Sequence, residues 1–211
     1  MHATVAPRSS LAQIRGMFAL LRPRQWVKNV FVFAPLIFAG EFLKLQSIEK
    51  VALTALIFCV ASSATYILND LTDIERDRRH PKKSKSRPLA SGLVSIPQAI
   101  TILLILYVAL LAAWFVMPAV LYVVLGYLLL NLAYTFVLKH QPVIDIFTIA
   151  IGFVLRVYAG AMALSVPVSS WMFVTTLCLA LYLAAVKRGQ ELASNGSDSR
   201  EVLQHYTPAL I

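Results

Sequence analysis

Six apolar stretches divide the chain, at residues 26–43, 51–68, 93–115, 119–138, 143–163 and 168–186. Each approaches the ~20 residues that a bilayer-crossing helix needs. The expected architecture is all-α: a polytopic transmembrane helical bundle. Short breaks separate the later stretches, at Met117-Pro118, Gln141-Pro142 and Ser165-Val166-Pro167. Ser95, with Gln98 three residues on, has the spacing of a capping box that opens the third helix. The first stretch is the weakest. It contains Lys28, Asn29, Pro35 and Glu41, which predicts a tilt or a kink at Pro35.

The polar breaks carry the charge asymmetrically. Arg8, Arg15, Arg22, Arg24 and Lys28 lie in or beside the N-terminal arm, and a dense basic loop from Arg76 to Arg87 joins helices two and three. Lys139 follows helix four, and Lys187, Arg188 and Arg200 follow helix six. These alternate helix ends hold all but three of the 19 Lys and Arg. Lys44 and Lys50 lie on the opposite side, and Arg156 lies within a span. The positively charged side is expected to be cytoplasmic, with the N-terminus inside. No cleaved signal peptide is expected, because no short apolar region with a small-residue cleavage site follows the basic arm.

Composition agrees with lipid as the solvent. Hydrophobic residues make up 59% of the 211 and charged residues 14%, against about a quarter charged in a soluble domain. The net charge of +9 is concentrated in loops beside apolar segments, so it points to a bilayer and not to nucleic acid. Cys59 and Cys178 fall inside apolar runs. They are expected to pack as small buried hydrophobes, with neither metal-ligand spacing nor a disulfide framework.

One helix end has a different character. The second apolar stretch runs into Asn69-Asp70-Leu71-Thr72-Asp73-Ile74-Glu75-Arg76-Asp77. On a helix, Asn69, Asp70, Asp73 and Asp77 share an arc of about 100°, with Ser62 and Tyr66 on the same face and Glu75 turned away. Carboxylates at i and i+4 repel one another, and the C-terminal end of a helix disfavours anions. Tolerating both suggests a bound cation, for which Mg²⁺ on carboxylate and phosphate oxygens fits. The competing reading is a solvated loop neutralised by Arg76, Arg78 and Arg79. The following segment, His80 to Gly92, is basic, bounded by prolines and not expected to be helical. Arg87 is its strongest candidate for gripping a phosphate. Lys82, Lys83 and Lys85 read more simply as ordinary cytoplasmic charge.

These residues resemble a family. Asn-Asp-x-x-Asp-x-x-x-Asp at 69–77, followed by Arg87-Pro88-Leu89-Ala90-Ser91-Gly92, is similar to the first aspartate-rich motif of the UbiA prenyltransferase superfamily. That resemblance implies a helical-bundle membrane enzyme that binds a diphosphate through Mg²⁺. It assigns Asp70, Asp73 and Asp77 to the metal, with Asn69 and Tyr66 beside them. It also implies a nine-helix fold, of which six expected helices would be a part. On this reading residues 1–25 form a cytoplasmic arm and 26–192 the transmembrane UbiA-type catalytic bundle. Residues 193–211 form a cytoplasmic loop and the beginning of a further helix.

A second group of residues narrows the resemblance. Tyr134 to Lys139 is similar to the Tyr-x-x-x-Lys pattern at the end of helix four in the superfamily. Asp145 and Arg156 are intramembrane charges on helix five, expected to face the interior. They share a face but lie ~16 Å apart in height, too far to pair. After helix six, where many superfamily members carry a second acidic motif, this chain has Lys187-Arg188-Gly189-Gln190-Glu191-Leu192. Together with Leu21 to Asn29, which includes Lys28, this pattern resembles decaprenyl-phosphate phosphoribosyltransferases, the polyprenyl-phosphate branch.

The branch implies transfer of 5-phosphoribose from phosphoribosyl diphosphate to a polyprenyl phosphate in a bacterial-type inner membrane, with the active site on the cytoplasmic face. Asp73, Asp77, Lys139, Lys187 and Arg188 are its expected catalytic residues. Lys28, Tyr66, Asn69, Arg87, Tyr134, Asp145, Arg156 and Glu191 are its expected substrate contacts. The attacking lipid phosphate is already anionic and needs no general base, in keeping with the scattered His2, His80, His140 and His205. Two rivals stand beside it. One is a polyprenyl diphosphate transferase with an aromatic or other small acceptor. The other is a non-catalytic transporter or assembly subunit, which leaves the one-sided acidic cluster unexplained.

Overall fold

The computed structural model describes residues 10–141 and 143–195. Its α-helices are α1 (Ser10–Leu20), α2 (Ala34–Phe38), α3 (Leu45–Thr72), α4 (Ile74–Arg79), α5 (Lys83–Ser86), α6 (Ile96–Trp114), α7 (Pro118–Phe136), α8 (Ile144–Leu164) and α9 (Ser170–Asn195). Among the described residues there is no strand, as the apolar pattern requires. Five helical segments are long and apolar enough to cross a membrane: Leu45–Thr72, Ile96–Trp114, Pro118–Phe136, Ile144–Leu164 and Ser170–Gln190.

The first expected span is corrected. Instead of one regular helix over 26–43, a 3₁₀ stretch runs Pro23–Phe33, α2 follows, and a single 3₁₀ turn at Glu41–Leu43 ends the segment. Pro35 falls in the first turn of α2, where its missing N–H leaves no helical bond unmade. The expected kink is thus a change of helix type. Gly40, at φ 70°, then turns the chain in a conformation that glycine adopts without strain. A 3₁₀ run this long is uncommon, and it carries both Lys28 and Asn29.

The chain divides into two compact units. The first comprises Met1–Val27 and Cys59–Ala112. Its core gathers Leu20, Ala64, Ile67, Leu89, Val94, Ala99 and Leu103. The Ser95–Gln98 capping box forms as expected. Ser95 N donates to Gln98 Oε1 at 2.9 Å, and Gln98 N donates to Ser95 Oγ at 3.4 Å. The outer side of α6 leaves Ile100, Leu104, Ile105, Val108 and Leu111 exposed, a stripe suited to lipid. One turn of helix, α5, forms between Pro81 and Pro88, where the sequence predicted none.

The second unit comprises Lys28–Phe58 and Ala113–Ile211. Helix α8 lies at its centre and packs against α2, α7 and α9. Small residues allow this: Ala150, Gly152, Ala159, Gly160, Ala161 and Ala163 are all buried. A methyl at Gly160 would collide with the Val32 backbone carbonyl, so glycine is what lets the incoming segment lie against α8. Cys59 is half-buried, but Cys178 is exposed, against the expectation of two buried thiols. Its apolar surroundings reflect a helix facing lipid and not a core.

Candidate active site

The acidic helix end forms a built cluster in the first unit. Helix α3 stops at Thr72 and α4 starts at Ile74, with Asp73 between them at φ −95°, ψ 8°. The break is local. Asp73 N still donates to Asn69 O at 3.0 Å, and Asp77 N to Asp73 O at 2.9 Å, so the predicted face survives. Asp70 and Asp77 are 2% and 3% exposed, which is costly for carboxylates unless they are paired.

Their partners are not the arginines of the competing solvated-loop reading. Arg78 pairs with exposed Glu75 at 3.0 Å, and Arg76 and Arg79 are exposed. Asp70 Oδ1 instead accepts from Arg22 Nη2 and Arg87 Nη1, each at 2.5 Å. The same Arg87 nitrogen donates to Asp77 Oδ2 at 2.5 Å, and Lys83 Nζ lies 3.6 Å from Asp77 Oδ1. Two 2.5 Å bonds sharing one nitrogen put the two carboxylate oxygens within 5 Å of each other.

In the sequence Lys83 reads as ordinary loop charge and Arg22 as basic-arm charge within the Leu21–Asn29 motif, and neither is singled out as a partner of the acids. The signal for Arg22 is conformational. It adopts φ 53°, a region costing about 1–3 kcal/mol for a non-glycine residue, and its guanidinium lies 5.0 Å from the centre of the Tyr66 ring. Next to it, Trp26 Nε1 donates to Ser63 Oγ at 3.0 Å, and Ser63 Oγ donates to Leu21 O at 2.9 Å. These bonds tie the end of α1 to α3.

Two further charged sites lie in the second unit. Arg188 Nε donates to Asp145 Oδ2 at 2.7 Å. Arg156 donates from Nε to Asn29 Oδ1 at 2.9 Å, from Nη1 to Gly152 O at 2.6 Å and from Nη2 to Tyr127 Oη at 3.1 Å. Its guanidinium lies 4.9 Å from the Tyr127 ring centre, 5.4 Å from that of Phe153 and 5.8 Å from that of Phe58. Asp145 and Arg156 share the buried side of α8 without pairing, as expected.

The remaining predicted residues are more open. Lys28, Tyr134 and Lys139 are half-buried and Lys187 is exposed, each with interactions of its own. Glu191 lies on α9, but its side chain is outside the described residues, as is the segment after Asn195.

Among the described residues no three His, Cys, Asp or Glu side chains form a ready metal cage. Mg²⁺ usually takes only one or two carboxylates and completes its shell with water and phosphate oxygens. The buried, convergent Asp70 and Asp77 suit that donor set.

Comparison with known proteins decides the family. The chain matches the UbiA prenyltransferase family over residues 30–200. The chain belongs to the UbiA prenyltransferase family. It is 38% identical over 202 residues to the decaprenyl-phosphate phosphoribosyltransferase of Mycobacterium tuberculosis, covering 92% of this chain and 67% of that protein. It is 36% identical over 216 residues to the enzyme of the same name from Mycolicibacterium smegmatis, covering 99% of this chain and 67% of that one. The fold is that of a UbiA homolog from Archaeoglobus fulgidus bound to DMAPP and Mg²⁺. The TM-score is 0.70 at 23% identity, over 90% of this chain and 69% of that one. The chain is therefore an all-α, polytopic integral membrane protein with UbiA architecture.

Proposed function

We propose that this UbiA-family enzyme transfers 5-phosphoribose from phosphoribosyl diphosphate to a polyprenyl phosphate and releases diphosphate. The observation that carries the reading is similarity to decaprenyl-phosphate phosphoribosyltransferases over 92% of the chain, which takes in all three charged groups described above. The buried Asp70–Asp77 pair adds the donor chemistry that a metal–diphosphate substrate needs.

In the reaction the bond from ribose C1 to the diphosphate oxygen breaks, and a phosphate oxygen of the lipid forms the new bond to C1. Asp70, Asp73 and Asp77, with Asn69 nearby, would hold Mg²⁺, which when bound would offset the charge of the leaving diphosphate. Lys28, Arg87, Lys139 and Lys187 bind and orient phosphate groups, with Tyr66, Tyr134 and Glu191 completing the substrate contacts. Arg188 and Arg156, spoken for by buried partners, act as positioning residues. No proton need be removed from the nucleophile. The basic helix ends support a site on the cytoplasmic side of a bacterial-type inner membrane.

The test is an assay on membranes carrying the full chain, with labelled phosphoribosyl diphosphate, polyprenyl phosphate and Mg²⁺. Lipid-extractable label is expected. No labelled lipid, together with consumption of an allylic diphosphate and a small aromatic acceptor, would replace this reading with the prenyl-transfer rival.

A further inference from the structure

We infer that Arg87, besides binding phosphate, holds the place of the divalent cation. Its guanidinium bridges Asp70 and Asp77 until metal and diphosphate arrive, then moves from the carboxylates to the diphosphate. The inference rests on the reading that this acidic pair takes Mg²⁺.

Three observations single out Arg87. It touches both acids through one nitrogen, Nη1, at 2.5 Å from each. Each acid has a second cation of its own, Arg22 for Asp70 and Lys83 for Asp77, so neither carboxylate is stranded when Arg87 leaves. Finally, Arg87 sits in extended backbone between the single turn of α5 and Pro88, with its side chain 22% exposed. Arg22, by contrast, is held against the Tyr66 ring.

A metal ion joining the same two oxygens would compete with Nη1 for them, because both cations draw on the same two acceptors. Metal binding therefore breaks two charge-assisted hydrogen bonds. A diphosphate offers the displaced guanidinium a bidentate partner. Metal and diphosphate consequently assist each other's binding, and the assistance is reciprocal. Without substrate, the acids stay paired and buried instead of capturing stray cations.

The experiment uses the full chain in nanodiscs and Mn²⁺ alone as the probe, read by electron paramagnetic resonance. Arg87→Gln is expected to bind Mn²⁺ about ten-fold more tightly than the parent chain. Asp77→Asn should bind it more weakly. Arg22→Gln, which also removes a charge beside Asp70 but not the bridge, should tighten Mn²⁺ far less. Equal tightening in Arg22→Gln and Arg87→Gln would reveal a generic charge effect and overturn the proposal. So would unchanged or weaker binding in Arg87→Gln while Asp77→Asn loses the metal, an outcome that leaves the metal reading intact. Failure of every form to bind Mn²⁺, with or without inorganic diphosphate, would sink the metal reading and this inference with it.

The parent chain provides an independent measurement that needs no variant. Phenylglyoxal labelling of Arg87, mapped by mass spectrometry, is expected to accelerate when Mn²⁺ is added and to slow again when inorganic diphosphate follows. A labelling rate at Arg87 indifferent to Mn²⁺ that binds would overturn the exchange.

Discussion

Arg188 Nε lies 2.7 Å from Asp145 Oδ2, and the two side chains are 1% and 0% exposed. This pair joins α9 to the start of α8. It gives the basic motif after the last apolar stretch a meaning different from the one its sequence conveys. Lys187 and Arg188 are adjacent in the chain, yet one is exposed and the other is locked to an acid. Successive helical residues lie about 100° apart, so the motif splits between two environments.

Asp145→Asn should therefore destabilise the protein by about 3–5 kcal/mol, because it removes a buried negative charge that faces the buried Arg188 guanidinium. Asp145→Asn combined with Arg188→Met should recover much of that loss. Thermal unfolding in detergent would check both. If Arg188 positions and does not touch substrate, Arg188→Lys should lower stability while leaving the KM for phosphoribosyl diphosphate near the parent value. A large rise in KM with unchanged stability would put Arg188 in contact with phosphate.

Arg156 is held by an acceptor on each of three nitrogens and by aromatic rings around its plane. Lysine lacks the planar fork and cannot reproduce that set. Arg156→Lys should cost at least about 2 kcal/mol, and Asn29→Ala about 1–3 kcal/mol through the orphaned buried donor. Both losses should appear as lower unfolding temperatures. A stable Arg156→Lys variant with a selective defect in substrate binding would return Arg156 to the substrate.

Gly160→Ala adds one methyl where the Val32 carbonyl already stands. The backbone must shift, because no flexible side chain can move aside. A loss of about 1–3 kcal/mol is expected, the usual size of an overpacking penalty. Gly126→Ala makes a control, since a methyl there meets nothing within 4 Å, and it should be neutral within about 0.5 kcal/mol.

Asp73→Asn and Asp77→Asn should each lower labelled-lipid formation by about 10²–10³-fold, the scale of losing one preorganised electrostatic contact to developing charge. Membrane insertion should be unchanged, as judged by extraction and gel filtration. Removing divalent cations with a chelator should abolish activity, and adding Mg²⁺ should restore it. An active Asp73→Asn variant would take Asp73 out of the metal site.

Membrane helices are unusually legible because each must satisfy its own backbone hydrogen bonds and present apolar side chains to lipid. Five spans, the capping box at Ser95 and the shared face of Asn69, Asp70, Asp73 and Asp77 are local consequences of composition and spacing. The chain itself determined these, along with its likeness to the UbiA family. The first apolar stretch departs from one regular helix because Pro35 and Gly40 select among helix types through backbone geometry, which an apolar count does not register. Partner choice is non-local. Asp70 finds Arg22 across 48 residues, Asp145 finds Arg188 across 43, and Arg156 finds Asn29 across 127. Nearby Arg76, Arg78 and Arg79 compete for the acids in sequence and lose in space. Only the tertiary structure decided which cation meets which carboxylate, because a buried charge must take whichever opposite charge the packing of helices delivers to it.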